Sequence, residues 1–302
     1  MSEIASARSI ASEVKPANLG LSGPSALTTV LLIARITFRE AVRRRILVVA
    51  VLAALGFLAL FGVGVHAMLQ NMRLKQGLLQ QREAVAMIST MALYAGSMLT
   101  SLMAALTSCD TLSGEIASGT IHAIATKPVR RWALVFGKWI GFAGMLSLYV
   151  LLLEGGTILI AWGQTGRILP HTGEAIGLLW VQALVLLGVS LAASTRFSAM
   201  TSGAVALGLF GLAFVGGWIE QYGALQHVRT CVNLGILSSL IMPSDALWRR
   251  TAFRLQPPLL GSAGIGPFSS LLIPSTAMVM YAIVYAAIAI LLAVLLFERR
   301  DL

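Results

Sequence analysis

Ile46 to Val65 is a run of twenty residues without one charged or hydrogen-bonding side chain. At about 1.5 Å per residue, a helix of that length crosses the ~30 Å hydrocarbon core of a bilayer. In hydrocarbon a single segment satisfies its backbone only as a helix, so the run dictates secondary structure and environment together. Comparable runs recur at about Ala84–Ser108, Trp139–Trp162, Glu174–Ala193, Ala199–Ile219 and Ile273–Phe297. None has the ten-residue alternation of a membrane barrel. The expectation is an all-α polytopic membrane protein with six transmembrane helices. Composition agrees: charged residues are 11% of the chain, against about a quarter in an ordinary soluble domain.

The net charge of +10 belongs to the flanks of these spans, where cations set orientation and meet anionic lipid, rather than to a nucleic-acid surface. With both termini placed in the cytoplasm, fourteen of the 22 Lys and Arg fall inside and eight outside. Residues 1–24 carry little hydrophobic pattern and read as a mobile cytoplasmic leader, ahead of a transmembrane domain over 25–302. The first apolar run starts too deep for a removable signal peptide. From Ser25, Leu27, Leu31, Ala34 and Phe38 share one helix face, while Arg35, Arg39 and Arg43 stand four apart on another. The spacing predicts an interfacial elbow helix with guanidinium groups at lipid phosphate, ending in the Arg43-Arg44-Arg45 cluster. In the long outer segment from Glu220 to Leu272, Cys231–Met242 is apolar but short, which suits a re-entrant or an interfacial helix.

Cys109 and Cys231 fall on opposite sides of the membrane in this layout, and the four histidines share no ligand spacing, so neither a disulfide nor a metal is expected. Helix contacts are expected at Gly137 with Gly141, at Ala204 with Gly208, and at the Gly155-Gly156 and Gly216-Gly217 pairs. Glu154 is the one carboxylate well inside a span. Three roles are open to it: lining a translocation path in a dimer cavity, standing protonated, or bonding a neighbouring helix.

Between the second and third spans the chain turns polar, from Cys109-Asp110-Thr111-Leu112-Ser113-Gly114-Glu115 through Lys127-Pro128-Val129-Arg130-Arg131 to Gly137-Lys138. It reads as a short helix broken before Pro128, since the residue preceding a proline is biased out of helical angles. Gly137-Lys138 is not half of a phosphate-binding loop: Trp132 stands where the first glycine is needed, and Trp139 where the hydroxyl is. If ATP drives this protein, another chain binds it, and this one is a transport subunit rather than an enzyme.

The polar run resembles the first cytoplasmic loop of ABC-2 type transporter permeases, particularly the six-span, NosY-like group. There a Glu, three residues, Gly-Thr, then Pro-Val or Pro-Ile with Arg soon after, and Gly-Lys form the coupling-helix region. Here those positions are Glu115, Gly119, Thr120, Pro128, Val129, Arg130 or Arg131, Gly137 and Lys138. Pro243-Ser244-Asp245-Ala246-Leu247-Trp248-Arg249 resembles the family's Pro-x-Asp-x-Leu-aromatic-Arg segment before the last span, and Phe297–Leu302 its ending. Arg130 departs from the small hydroxyl residue often found there.

The resemblance implies a homodimer or heterodimer of permeases in a prokaryotic inner membrane, each resting on an ATPase subunit that holds ATP and Mg. A coupling helix around Leu112 to Ala123 would sit in a groove of that partner, through apolar contact from Ile116, Ile121 and Ile124. Glu115 would meet a basic residue of the ATPase or stabilise the helix end. Export is the implied direction. The alternative is a mechanical or assembly module that passes ATP-driven motion to a periplasmic partner through Glu220–Leu272. A secondary transporter or channel is disfavoured by the scarcity of intramembrane charge.

Overall fold

The computed structural model describes residues 26–73, 77–117, 130–255 and 274–299, and of residues 73, 78–79 and 115–117 it describes the backbone alone. The predicted leader, Gly119, Thr120, Ile121, Ile124, Pro128 and the last three residues lie outside the described residues. In chain order, helix α1 is Ala26–Arg43, α2 Arg45–Arg73, α3 Leu78–Cys109 and α4 Thr111–Ala117. Helix α5, Arg131–Val150, continues through a π-helical turn at Leu151–Gly155 into α6, Gly156–Thr165. Then come α7 (Thr172–Ser194), α8 (Ala199–Leu225), α9 (Arg229–Ile241), α10 (Ser244–Leu255) and α11 (Thr276–Glu298).

Among the described residues six helices are long and apolar enough to cross a membrane: α2, α3, α5 with α6, α7, α8 and α11. They correspond to the six predicted spans but outrun them. The third begins at Arg131 rather than near Trp139, and the fifth continues to Leu225 beyond Ile219. An apolar window marks only the hydrocarbon, whereas a helix persists into the interface, where polar side chains stay solvated.

The fourth span, α7, forms the axis of the bundle. It carries Gln182, Ser190 and Ser194, polar side chains that lipid would leave without partners, so it belongs in the centre, where other helices can bond them. Of its apolar window 72% is buried, against 17% in α2 and 22% in α11. Val185, Leu186, Leu187 and Leu191 are fully buried, and Leu186 and Leu187 share one core with Leu146 and Leu153 of the third span. Polar side chains add directed contacts across this apolar packing. Gln182 Nε2 donates to Ser101 Oγ at 3.1 Å, and Ser190 Oγ donates to the Ala105 carbonyl at 3.0 Å. Such bonds help fix helix register where apolar contact alone is undirected.

Close approach at glycine sets three further contacts. Gly137 and Gly141 receive α1 rather than another span: a Cβ at Gly141 would lie 2.8 Å from the Ala34 carbonyl oxygen, and one at Gly137 2.8 Å from the Ile33 Cβ. That seat selects which side of α1 is buried. Val30, Ala34, Thr37 and Ala41 face the bundle; of the predicted face Ala34 is buried, Phe38 packs on the core, and Leu27 and Leu31 are exposed. Gly156 seats Leu58 of α2, and Gly216 and Gly217 admit Ser238 of α9 and Asp245 of α10. Ala204 and Gly208, expected to make a contact, lie exposed on α8, and a Cβ at Gly208 would meet nothing.

Helices α9 and α10 meet at a bend of 108° over a two-residue break at Met242-Pro243. At 13 and 12 residues neither is long enough to span alone. The predicted apolar segment Cys231–Met242 is therefore the first arm of a bent helical pair, packed with α9 on α8 and α10 on α7.

Candidate functional site

The polar interruption is built at one end of the bundle. Helix α3 closes at Cys109, Asp110 makes the turn, and α4 starts at Thr111. The new helix is anchored at its root by side-chain bonds to the preceding turn. Thr111 Oγ1 donates to the Thr107 carbonyl at 3.1 Å, and Ser113 Oγ to the Cys109 carbonyl at 2.8 Å. Leu112 is fully buried and packs with Leu134, Val135, Leu191 and Phe297. The first turn of α4 is thus plugged among the third, fourth and sixth spans.

Three cations surround that plug. Lys138, only 5% exposed, reaches from α5 to donate its Nζ to the Thr111 carbonyl at 3.3 Å. Arg44, at the junction of α1 and α2, lies 2.8 Å from Glu40 and 3.9 Å from the Asp110 carboxylate. Arg131 Nη1 donates to the Glu298 carbonyl at 3.2 Å, joining the start of the third span to the end of the sixth. Of the predicted coupling residues the fold gathers Leu112, Arg131 and Lys138, together with Arg44 of the predicted elbow. Arg130 is exposed just before α5, and the backbones of Glu115 and Ile116 continue α4. Arg35, Arg39, Arg43 and Arg45 are exposed. Asp110 and Thr111, absent from the predicted set, are the residues that Arg44 and Lys138 hold. Asp110 could have been found from its place at the helix boundary, but Thr111 acts through its backbone carbonyl, which leaves no trace in sequence.

Glu154 lies inside the π-helical turn. An extra residue per turn of this kind re-aims side chains, and such turns are frequent at functional positions. Glu154 has no exposed surface, and Thr100 Oγ1 donates to its Oε1 at 3.5 Å. A Cβ at Gly96 would fall 2.8 Å from Oε2, so α3 presents a glycine and a threonine where the carboxyl rests. Of the three roles open from sequence, this geometry corresponds to bonding a neighbouring helix of the same chain.

At the opposite end charge is paired, and around Arg249 it is also buried. Arg249 of α10 is 3% exposed and grips Glu220 of α8 with both terminal nitrogens, each contact at 2.9 Å. Its Nε lies 2.9 Å from Asp245, and Nη2 donates to Ser239 Oγ at 3.1 Å. Arg250 and Arg254 approach Glu174 of α7 at 3.6 and 3.1 Å, and Arg250 donates to the Pro274 carbonyl at 3.0 Å, just before α11. The bent pair is thereby fastened to the fourth, fifth and sixth spans. The Asp245–Arg249 spacing of four was a visible signal of pairing on one helix. Glu220 and Glu174, distant in sequence, had none.

The family model of ABC-2 family transporter proteins matches residues 31–302. No curated protein gives a significant match. With a match over nine tenths of its length and six membrane-spanning helices, the chain belongs to the ABC-2 transporter family and is a membrane-embedded permease component of an ABC transporter.

Proposed function

We propose that this chain is the permease of an ATP-driven exporter in a prokaryotic cytoplasmic membrane, powered by a separate ATPase subunit that docks on α4 and the residues following it. The observation that carries the reading is the plugged first turn of α4. Leu112 sits among side chains of the third, fourth and sixth spans, and Lys138 holds the carbonyl beside it. A push on the free part of α4 is therefore delivered to several spans at once, as rigid-body transmission requires. ATP and Mg stay on the partner, and the described ends of the chain lie on its side of the membrane.

Docking rests on shape and apolar contact through Ile116, because an exposed ion pair from Glu115 contributes only about 0.2–1 kcal/mol. Arg35, Arg39, Arg43 and Arg45 place α1 at lipid phosphate as the interfacial elbow. Two permease copies, identical or paralogous, form the pathway. Glu154 joins that pathway only in a state where the second and third spans part.

The test is recovery of the tagged chain from its native membrane in mild detergent, beside a Glu115→Ala, Ile116→Glu double variant. A nucleotide-binding subunit should accompany the wild type and be lost from the variant. If no ATPase accompanies the wild type, the proposal fails.

One observation favours a second reading. The bent pair α9–α10 is fixed to three spans by charged contacts, one of them the buried Arg249–Glu220 pair, which suits it to pass motion to a periplasmic partner without moving a solute. Co-purification of a large soluble protein, lost when the Glu220–Leu272 segment is altered, would select that reading.

A further inference from the structure

At the end of the bundle far from α4, a cavity of about 270 Å³ opens between the first turns of α3, the end of α6, the 167–170 connection and the last residue of α10. Its floor is apolar and enclosed: Val85, Ala161 and Leu255 are at most 3% exposed. Its rim is charged and exposed, with Arg82 and Arg167 on it and Glu83 between solvent and core. At ~30 Å³ per molecule the cavity would hold about nine waters, and these apolar walls offer them few partners. It falls below the ~300–1,000 Å³ of pockets that enclose a whole small molecule. The space suits one apolar chain whose polar end stays outside.

The rim says what that polar end is. At this end of the molecule Arg249, Arg250 and Arg254 each have a carboxylate partner. Arg82 and Arg167 have none among the described residues, and both stand at this cavity. Against the single carboxylate of Glu83, two guanidinium groups leave the rim net positive, matched to an anionic headgroup. The cavity also sits where span ends meet the connecting segment, the depth at which a lipid phosphate lies above its acyl chains.

The geometry points to a binding site for an anionic phospholipid of the surrounding bilayer, with one acyl chain over Val85, Ala161 and Leu255 and the phosphate at Arg82 and Arg167. This site is separate from α4 and holds at whichever membrane face the cavity lies.

The experiment titrates the full chain in neutral detergent with phosphatidylglycerol carrying a fluorescent acyl chain, beside phosphatidylcholine of the same chains. Phosphatidylglycerol should bind at least about tenfold more tightly. Arg82→Ala with Arg167→Ala should weaken it about thirtyfold, on the order of one cation's surface attraction from each arginine, and weaken phosphatidylcholine, whose choline offsets the phosphate charge, much less. Ala161→Phe, which fills the floor, should weaken both lipids. Equal affinity for the two lipids, or an unaffected double arginine variant, overturns the headgroup assignment; both arginines are exposed, so that variant keeps the fold, checked by an unchanged unfolding temperature. Undiminished binding by a folded Ala161→Phe chain overturns the acyl seat. Displacement by free oleate as efficient as by unlabelled phosphatidylglycerol overturns the phospholipid assignment in favour of a single-chain anion.

Discussion

The two ends of the bundle use charge in opposite ways. Around α4 the cations reach across the chain to backbone carbonyls or exposed carboxylates: Lys138 to the Thr111 carbonyl, Arg131 to the Glu298 carbonyl, and Arg44 to Glu40 and Asp110 at 2.8 and 3.9 Å. At the far end, Arg249 is buried and meets two carboxylates and a hydroxyl at 2.9–3.1 Å. Exposed pairs contribute little and yield easily, whereas a desolvated pair is costly to separate because each charge left behind is stranded. The far end is built to stay assembled, and under the proposed coupling the α4 end is the one that shifts, on its apolar plug. A permease driven from one side needs that asymmetry, since the driven end must move against something that does not.

Arg249→Ala is the strongest way to break the comparison. It leaves Glu220 and Asp245 buried without their cation, and removal of one partner from a buried pair costs about 3–5 kcal/mol. Chemical unfolding in detergent should show a loss of that size, with α9 and α10 becoming open to protease first. Replacing all three charged residues by apolar ones of similar volume should recover most of it. A loss below about 1 kcal/mol for the single change would show that the far end is no lock.

A smaller effect is expected at the seat of α1. Gly141→Leu puts a side chain where the Ala34 carbonyl and Thr37 lie, and overpacking of this kind costs about 1–3 kcal/mol. Because the clash falls between α1 and α5, it should release α1 to proteolysis while the six spans stay folded. Lys138→Met removes a charge-assisted bond to the Thr111 carbonyl, about 1.5–3 kcal/mol, offset in part because the methionine keeps the buried stem volume and no longer buries a charge. Under the proposed coupling role, Lys138→Met should lower transport by more than it lowers stability, measured side by side in liposomes containing the ATPase.

The six spans were legible because length and hydropathy state the same physical requirement, and the bent pair was half legible because Cys231–Met242 was too short to cross. The face of α1 was legible in part: Ala34 and Phe38 of the predicted apolar face meet the bundle, while Val30, Thr37 and Ala41 join them because Gly137 and Gly141 on a distant helix admit that side. The α4 plug was read in part. Leu112 and Lys138 entered through the resemblance of this loop to the coupling region of ABC-2 permeases, while the Thr111 carbonyl that Lys138 holds has no side-chain signature. The lock at the far end was missed because Glu220 and Arg249 are 29 residues apart and meet only after two helices bend by 108°.

Salt offers the finest discrimination between the two ends. Arg44 is 28% exposed and Asp110 56%, so Arg44→Ala should cost no more than about 1 kcal/mol at low ionic strength. Raising the salt from about 0.1 M to 1 M shortens the screening length from about 10 Å to about 3 Å, below the 3.9 Å of the Arg44–Asp110 contact. The part of the Arg44→Ala difference owed to Asp110 should therefore vanish at 1 M, leaving at most the contact with Glu40 at 2.8 Å, about 0.3–0.5 kcal/mol. The Arg249→Ala difference should persist, because solvent ions do not reach a guanidinium with 3% of its surface exposed. If both differences shrank in parallel, the far-end charges would be as accessible as those beside α4, and the division into a yielding end and a fixed end would fall.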